Sequence, residues 1–105
     1  MPDAVIACFR PRRGKEAALL ALVGQHVPEL RRMGYVTDAP VTILRSRLDG
    51  TLLEVFEWMD GGADRAHGDP VIRALWKRFE EASEYVSLGQ LREAGSLFAG
   101  FERIV

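Results

Sequence analysis

The sequence predicts an α+β fold in which strands and helices follow the order β-α-β-β-α-β. Two stretches repeat apolar residues at steps of three and four, which is the spacing of one helix face. Shorter runs rich in β-branched and aromatic residues surround these stretches and predict strands. The pair Asp49-Gly50 separates two of the runs and is typical of a tight β-hairpin turn.

A change in apolar spacing predicts the first strand and the first helix. Residues 4–9 form a continuous apolar run, as expected of a buried strand. Across residues 15–33 the spacing becomes helical, and Gly34 follows as a left-handed stop signal. Pro28 falls inside this helix, and its ring would meet the carbonyl of Gly24. We therefore expect a kinked helix.

The second half of the chain begins with the predicted hairpin. Residues 41–48 and 51–59 are its strands, joined by Asp49-Gly50 in a type I′ turn. A polar loop follows, at whose end Asp69 caps the second helix and Pro70 takes its first position. Residues 97–105 are the last predicted strand. The apolar stripe of the second helix consists of Val71, Ile72, Leu75, Trp76, Phe79, Ala82 and Val86.

Length and composition bound the class of protein. The 105 residues suffice for one domain, spanning 1–105, and 48% of them are hydrophobic. The net charge is −1, and the chain lacks a basic block, so we expect no nucleic-acid partner. The single cysteine, Cys8, excludes an internal disulfide and is expected to be buried. Without a signal-peptide pattern or an apolar run of about 18 residues, we expect a soluble cytoplasmic protein with no membrane contact.

The element order predicts a ferredoxin-like arrangement, since right-handed crossovers place both helices on one face of an antiparallel sheet. The third strand is apolar on both faces, with Leu53 and Val55 on one and Phe56 and Trp58 on the other. Because a large exposed apolar face is a liability, we expect a second copy to cover it, giving a homodimeric barrel. A monomer with an exposed apolar sheet is the alternative. The sequence leaves open which set of residues faces the helices.

Four segments resemble the dimeric α/β-barrel family of antibiotic-biosynthesis monooxygenases. They are RPRRGKEAALLALVGQHVPELRR, LLEVFEWMD, AHGDPVIRALWKRF and LREAGSLFAGFERI, and together they span nearly the whole chain. The resemblance implies the dimeric barrel and a cofactor-independent oxygenase acting on a small aromatic, quinol or polyketide-like compound. The family also includes haem-degrading enzymes, isomerases and proteins without known activity, so fold does not dictate function.

The chain departs from the family pattern in two places. The oxygenases and haem degraders of the family use a cavity asparagine, and this chain contains none. The histidine that binds haem in the degraders would fall near Leu75 and Trp76, and it is missing. We therefore expect no haem and no other cofactor, and an oxygenase would need a different polar group for its substrate. The alternative function is a non-catalytic, small-molecule-binding or stress-related dimeric module.

His67 and Glu54 are the candidate catalytic residues. His67 lies two positions before the predicted helix cap, on a loop, where a neutral imidazole could take a proton from a phenol or quinol. The phenolate or quinol anion could then reduce oxygen directly. Glu54 alternates with Phe56 and Trp58 on one strand face, so it could be a buried general base or an anchor. The structural alternatives are a helix-entrance histidine, and a Glu54 paired with Arg45 or Arg47.

The candidate substrate-binding residues are Trp58, Phe56, Trp76 and His26. The rings of Trp58 and Phe56 would stack against a flat substrate if their strand face lines a cavity. Trp76 and His26 lie on the apolar faces of their helices, so each is either core or cavity wall. Tyr35 is a weaker candidate for a hydrogen bond to substrate.

Other site chemistries lack the residues they require. The two histidines lie 41 positions apart and no CxxC or HxxxH pattern occurs, so we expect no metal site. Glycine-rich nucleotide loops and a nucleophile elbow are also absent. The sequence thus favours chemistry carried by side chains alone.

Overall fold

The computed structural model describes residues 2–105 and has an α+β architecture, as predicted. One five-stranded antiparallel sheet has the strand order β4-β1-β3-β2-β5. Short 3-10 turns occupy Leu88–Gln90 and Arg92–Gly95. The remaining elements are β1 (Ala4–Pro11), α1 (Glu16–Arg32), β2 (Thr42–Arg45), β3 (Leu52–Glu57), α2 (Gly62–His67), α3 (Pro70–Ala82), β4 (Ser83–Val86) and β5 (Glu102–Arg103).

The ends of α1 and the start of α3 follow the local signals in the sequence. Gly34 has φ +81° and donates to the carbonyl of Arg31, while Tyr35 donates to the carbonyl of Leu30. This pair of bonds is a Schellman motif, which confirms the predicted stop. The helix is continuous through Pro28. The Asp69 side chain accepts from the first backbone amides of α3, so this predicted cap is confirmed too.

The predicted type I′ turn at Asp49-Gly50 is wrong. Such a turn needs a positive φ at both positions, and only Gly50 has one, at +76°. The hairpin instead closes where the backbone amide of Ser46 donates to the carbonyl of Thr51 at 2.8 Å. The Ser46 hydroxyl oxygen accepts from the Asp49 amide, and the Asp49 carboxylate accepts from the Thr51 amide. These side-chain bonds stabilise a wider loop and shorten both strands.

The predicted second helix and last strand also need correction. The helix ends at Ala82, where the Ser83 hydroxyl donates to the carbonyl of Phe79 at 2.7 Å. Ser83–Val86, including the predicted helical Val86, is strand β4 and pairs with β1. The predicted strand 97–105 is reduced to the two residues of β5, which pair with β2. The sheet therefore has five strands where the sequence predicted four.

The side chains of Leu52, Glu54 and Phe56 face the helices, which settles the question left open by the sequence. Phe9 and Leu52 pack with Phe79 of α3 in the core between the sheet and the helices. Phe56 belongs to a neighbouring cluster with residues of α1 and α3.

The opposite face of the sheet is only partly covered. Cys8 and Leu53 are buried there beneath Leu91, and burial raises the pKa of the Cys8 thiol. Ile6, on the same face, is 48% exposed. The segment that follows Leu91 carries Phe98, which is 90% exposed. An apolar surface thus remains open on the side away from the helices.

No helix within residues 2–105 combines the length and the apolar character that crossing a membrane requires.

Candidate functional site

An open cavity of about 400 Å³ lies on the helix side of the sheet. This volume is within the range of small-molecule pockets, about 300–1,000 Å³. Every candidate site residue except Glu54 and the weaker candidate Tyr35 contributes to its wall. The lining residues are Val5, Ala7, Phe9, His26, Phe56, Trp58, His67, Trp76, Glu80 and Tyr85.

Separate elements bring the candidate side chains to this cavity. Phe56 belongs to β3, and Trp58 follows the same strand. The backbone amide of Trp58 donates a hydrogen bond to the carbonyl of Asp3 at 2.9 Å. The two rings meet edge to face with centroids 5.1 Å apart. His26 comes from α1 and Trp76 from α3. The cavity is therefore assembled from both layers of the fold.

His67 lies at the last position of the short helix α2, which corrects its predicted placement on a loop. The helix approaches the chain closely at Gly62, where an added Cβ would lie 2.1 Å from the carbonyl oxygen of Tyr35. This contact fixes α2, and with it His67, against the end of the sheet. The His67 ring packs on Trp76 with centroids 4.7 Å apart.

The tautomer of His67 follows from its hydrogen bond. Its Nδ1 lies 2.7 Å from the carbonyl oxygen of Ala63, and a carbonyl can only accept. Nδ1 therefore carries a proton, so that in the neutral imidazole Nε2 carries the lone pair. His67 is exposed and lines the cavity, so a basic nitrogen is available at its mouth.

A chain of hydrogen bonds joins the buried Glu54 and His26 to the half-buried Trp76. Oε1 of Glu54 lies 2.7 Å from Nδ1 of His26, and the indole Nε1 of Trp76 donates to Nε2 of His26 at 2.8 Å. An indole nitrogen can only donate, so Nε2 of His26 is unprotonated. Its proton is then on Nδ1 and is donated to Glu54. Both nitrogens of this neutral imidazole are engaged.

Glu54 therefore acts behind the cavity wall and not in it. It is fully buried, and its Oε2 has no hydrogen-bond partner among the described residues. The alternative pairing with Arg45 or Arg47 is wrong, because Glu54 points toward α1, and Arg45 bonds Glu102 at 2.7 Å. The Glu54 side chain therefore lies between the sheet and α1. Its geometry makes it a positioning group for His26.

The cavity has an apolar floor and a polar rim. Phe9, His26 and Phe56 are buried and form the floor. His67 and the two residues that sequence analysis missed, Glu80 and Tyr85, are exposed and form the rim. Burial raises the pKa of Tyr85, as does the negative charge of Glu80.

Glu80 and Tyr85 lie on either side of the junction between α3 and β4, which the sequence predicted as one continuous helix. Tyr85 belongs to the strand β4 that was predicted as helix, and Glu80 lies on the last turn of α3. Only the pairing of β4 with β1 carries Tyr85 over Phe9, where their rings meet at 5.6 Å. No local pattern in the sequence marks this pairing.

Tyr35 lies outside the cavity. Its hydroxyl donates to Asp69 at 2.7 Å, and this bond lowers the pKa of Asp69 and raises that of Tyr35. The residue therefore braces the cap of α3. Among residues 2–105, no group of three or more His, Cys, Asp or Glu side chains is placed to hold a metal ion.

No family model matches the chain, and no similar curated protein or solved structure was found.

Proposed function

We propose that the protein is a cofactor-independent, monooxygenase-like enzyme acting on a small phenolic, quinol or polyketide-like aromatic compound. The observation that supports this most is a single cavity with aromatic walls and a basic imidazole nitrogen at its mouth. The rings of Trp58, Phe56 and Trp76 would hold a flat substrate. His67 would accept its hydroxyl proton.

The proposed reaction balances without a further reductant. With 1-naphthol as substrate, Nε2 of His67 takes the hydroxyl proton, and the electron-rich naphtholate reduces dioxygen. One oxygen atom forms a new carbonyl and the other leaves as water, so 1-naphthol and O₂ yield 1,4-naphthoquinone and H₂O. The aromatic walls of the cavity would hold the reacting ring beside His67, and the floor would hold the unsubstituted ring. Glu54 and His26 take no proton in this scheme and hold Trp76 in place.

The proposed active form is a homodimer with a ferredoxin-like protomer. Support comes from the helix-free face, where Ile6 is 48% exposed, and from the segment after Leu91, in which Leu97 and Phe98 are each 90% exposed. Two such faces packed together would form a dimeric α/β barrel and remove this apolar surface from water. Each protomer would keep its own cavity on the helix side.

Oxygen uptake tests the catalytic proposal. Wild-type protein supplied with 1-naphthol should consume dissolved oxygen, and His67→Ala should lower the rate about 100-fold. Arg73→Gln is the matched control, since Arg73 is exposed on α3 and does not line the cavity. Equal rates in wild type and His67→Ala would refute the role of His67.

A non-catalytic binding module is the second candidate. The observation that favours it is that both nitrogens of His26 are already hydrogen-bonded within the protein. His67 is then the one cavity imidazole that could accept a proton from a ligand. A binding module would gain thermal stability from aromatic ligands without any oxygen uptake. The same pair of assays therefore separates the two candidates.

A further inference from the structure

The hydrogen-bond chain Glu54–His26–Trp76 leaves the cavity floor without a free hydrogen-bonding side-chain atom. His26 is the floor residue with polar side-chain atoms, and both nitrogens are already used within the protein. The side chains of Phe9 and Phe56 have no polar atoms, and their backbones lie in the paired strands β1 and β3. A ligand group that reaches the floor therefore meets no free hydrogen-bond acceptor.

The rim has the opposite character, because its side chains offer acceptors. Nε2 of His67 carries a lone pair, and Glu80 is a carboxylate. The Tyr85 hydroxyl donates its hydrogen to the carbonyl of Trp76 at 3.2 Å, which leaves the oxygen free to accept. The rim thus matches a ligand that presents a hydrogen-bond donor.

Trp58 also lines the wall, and its indole N–H is a donor that cannot accept. A hydroxyl group can donate to a rim acceptor and accept from an indole at once. An amine cation or a carboxylate satisfies only one of these partners. The polar atoms of the cavity therefore favour a hydroxyl group over an amine cation or a carboxylate.

We propose that the cavity selects aromatic compounds whose hydroxyl groups are confined to one end, with that end at the rim and the unsubstituted end on the floor. This inference deepens the proposed function and relies on the same cavity. It identifies the substrate class as hydroxylated on one ring only. A hydroxyl on the far ring would be buried without an acceptor, which is costly.

Binding measured under nitrogen tests this selection apart from catalysis. The three probes are 1-naphthol, 1-methoxynaphthalene and 1,5-dihydroxynaphthalene, and the readout is the shift of the two tryptophan indole N–H signals in NMR titrations. We expect 1-naphthol to bind about tenfold more tightly than each of the other two. The methoxy compound lacks the donor, and the diol places a hydroxyl on the floor.

Two variants change the two ends of the cavity separately. Trp76→Phe keeps a ring but frees Nε2 of His26 as a floor acceptor, so the diol should regain most of the lost affinity. His67→Phe removes one of the three rim acceptors and should reduce the preference for 1-naphthol over its methyl ether. Arg73→Gln should leave all three affinities unchanged.

Each outcome decides the inference. The predicted order of affinities, together with the predicted changes in the two variants, supports it, even if the protein consumes no oxygen and the oxygenase proposal fails. Equal affinities for the three probes overturn the selection and leave the oxygenase proposal standing if oxygen uptake is observed. Absence of binding by all three probes overturns the inference and the cavity as a ligand site.

Discussion

The indole Nε1 of Trp76 and the imidazole Nε2 of His26 lie 2.8 Å apart, and this bond ties α3 to α1 in the interior of the protein. Because the indole can only donate, it keeps His26 in the Nδ1-protonated form that binds Glu54. A carboxylate that is fully buried thereby acquires its one hydrogen-bond donor. His26 and Trp76 thus contribute both to the contact between α1 and α3 and to the wall of the cavity.

The coupling between His26 and Glu54 can be measured with a double-mutant cycle. His26→Leu should destabilise the protein by about 3–5 kcal/mol, because it leaves a buried carboxylate without a partner. Adding Glu54→Leu removes that carboxylate and should recover about 1–3 kcal/mol. Urea denaturation of the four proteins gives the free energies of unfolding. Strictly additive effects would show that the two groups do not depend on each other.

Asp69 should make stability depend on pH in the acid range. The hydrogen bond from Tyr35, and then those from the Val71 and Ile72 amides, hold the pKa of Asp69 below its ordinary value. A lowered folded-state pKa stabilises the fold above the unfolded pKa, about 3.9, and this stability is lost as the pH falls through the folded pKa. Wild type should therefore melt above Asp69→Asn at pH 6, with the difference closing below about pH 4.

Tyr35→Phe is the control for this titration. It removes the Tyr35 hydrogen bond to Asp69 and leaves the backbone cap intact. Without this bond the pKa of Asp69 should be lowered less. Tyr35→Phe should therefore lose its thermal stability advantage over the double variant Tyr35→Phe/Asp69→Asn at a higher pH than wild type loses its advantage over Asp69→Asn. Melting curves between pH 2 and 6 provide the measurement, and a difference independent of pH would contradict the assignment.

Gly62 and Gly24 should respond in opposite directions to the same substitution. A Cβ at Gly62 would lie 2.1 Å from the backbone oxygen of Tyr35, so Gly62→Ala should cost at least about 3 kcal/mol. Gly24 lies inside α1 with nothing within 4 Å of its added Cβ, so Gly24→Ala should gain about 0.5–1 kcal/mol. Urea denaturation measures both. A tolerated Gly62→Ala would show that α2 can move away from Tyr35.

The helix-free face should mediate self-association. Ile6→Lys places a charge on that face and should convert the dimer into a monomer in sedimentation velocity. Val71→Lys is the matched control, because Val71 is 51% exposed but lies on α3, on the other side of the sheet. A wild-type protein that sediments as a monomer at micromolar concentration would contradict the proposed pairing.

Features fixed by neighbouring residues could be predicted from the sequence. The Gly34 stop and the Asp69 cap each depend on a few adjacent backbone groups. The aromatic and acidic face of β3 followed from simple alternation, which placed Glu54 with Phe56 and Trp58. The candidate residues were therefore identifiable, although their contacts were not.

Contacts between distant residues could not be predicted. Glu54 and His26 are 28 positions apart, and the register of β3 against α1 decides that they meet. Val86 continues the helical spacing from Ala82, so periodicity alone cannot show that the chain becomes a strand there. The pairing of β4 with β1 decides it, and that pairing also supplies the rim residue Tyr85.

Isotope labelling provides the most direct test of the proposed activity. Wild-type protein is incubated with 1-naphthol under ¹⁸O₂, and the quinone product is analysed by mass spectrometry. We predict 1,4-naphthoquinone that carries one ¹⁸O atom, formed by wild type and lost with His67→Ala. A quinone without ¹⁸O, or the same labelled yield from His67→Ala, would contradict oxygen transfer in this cavity.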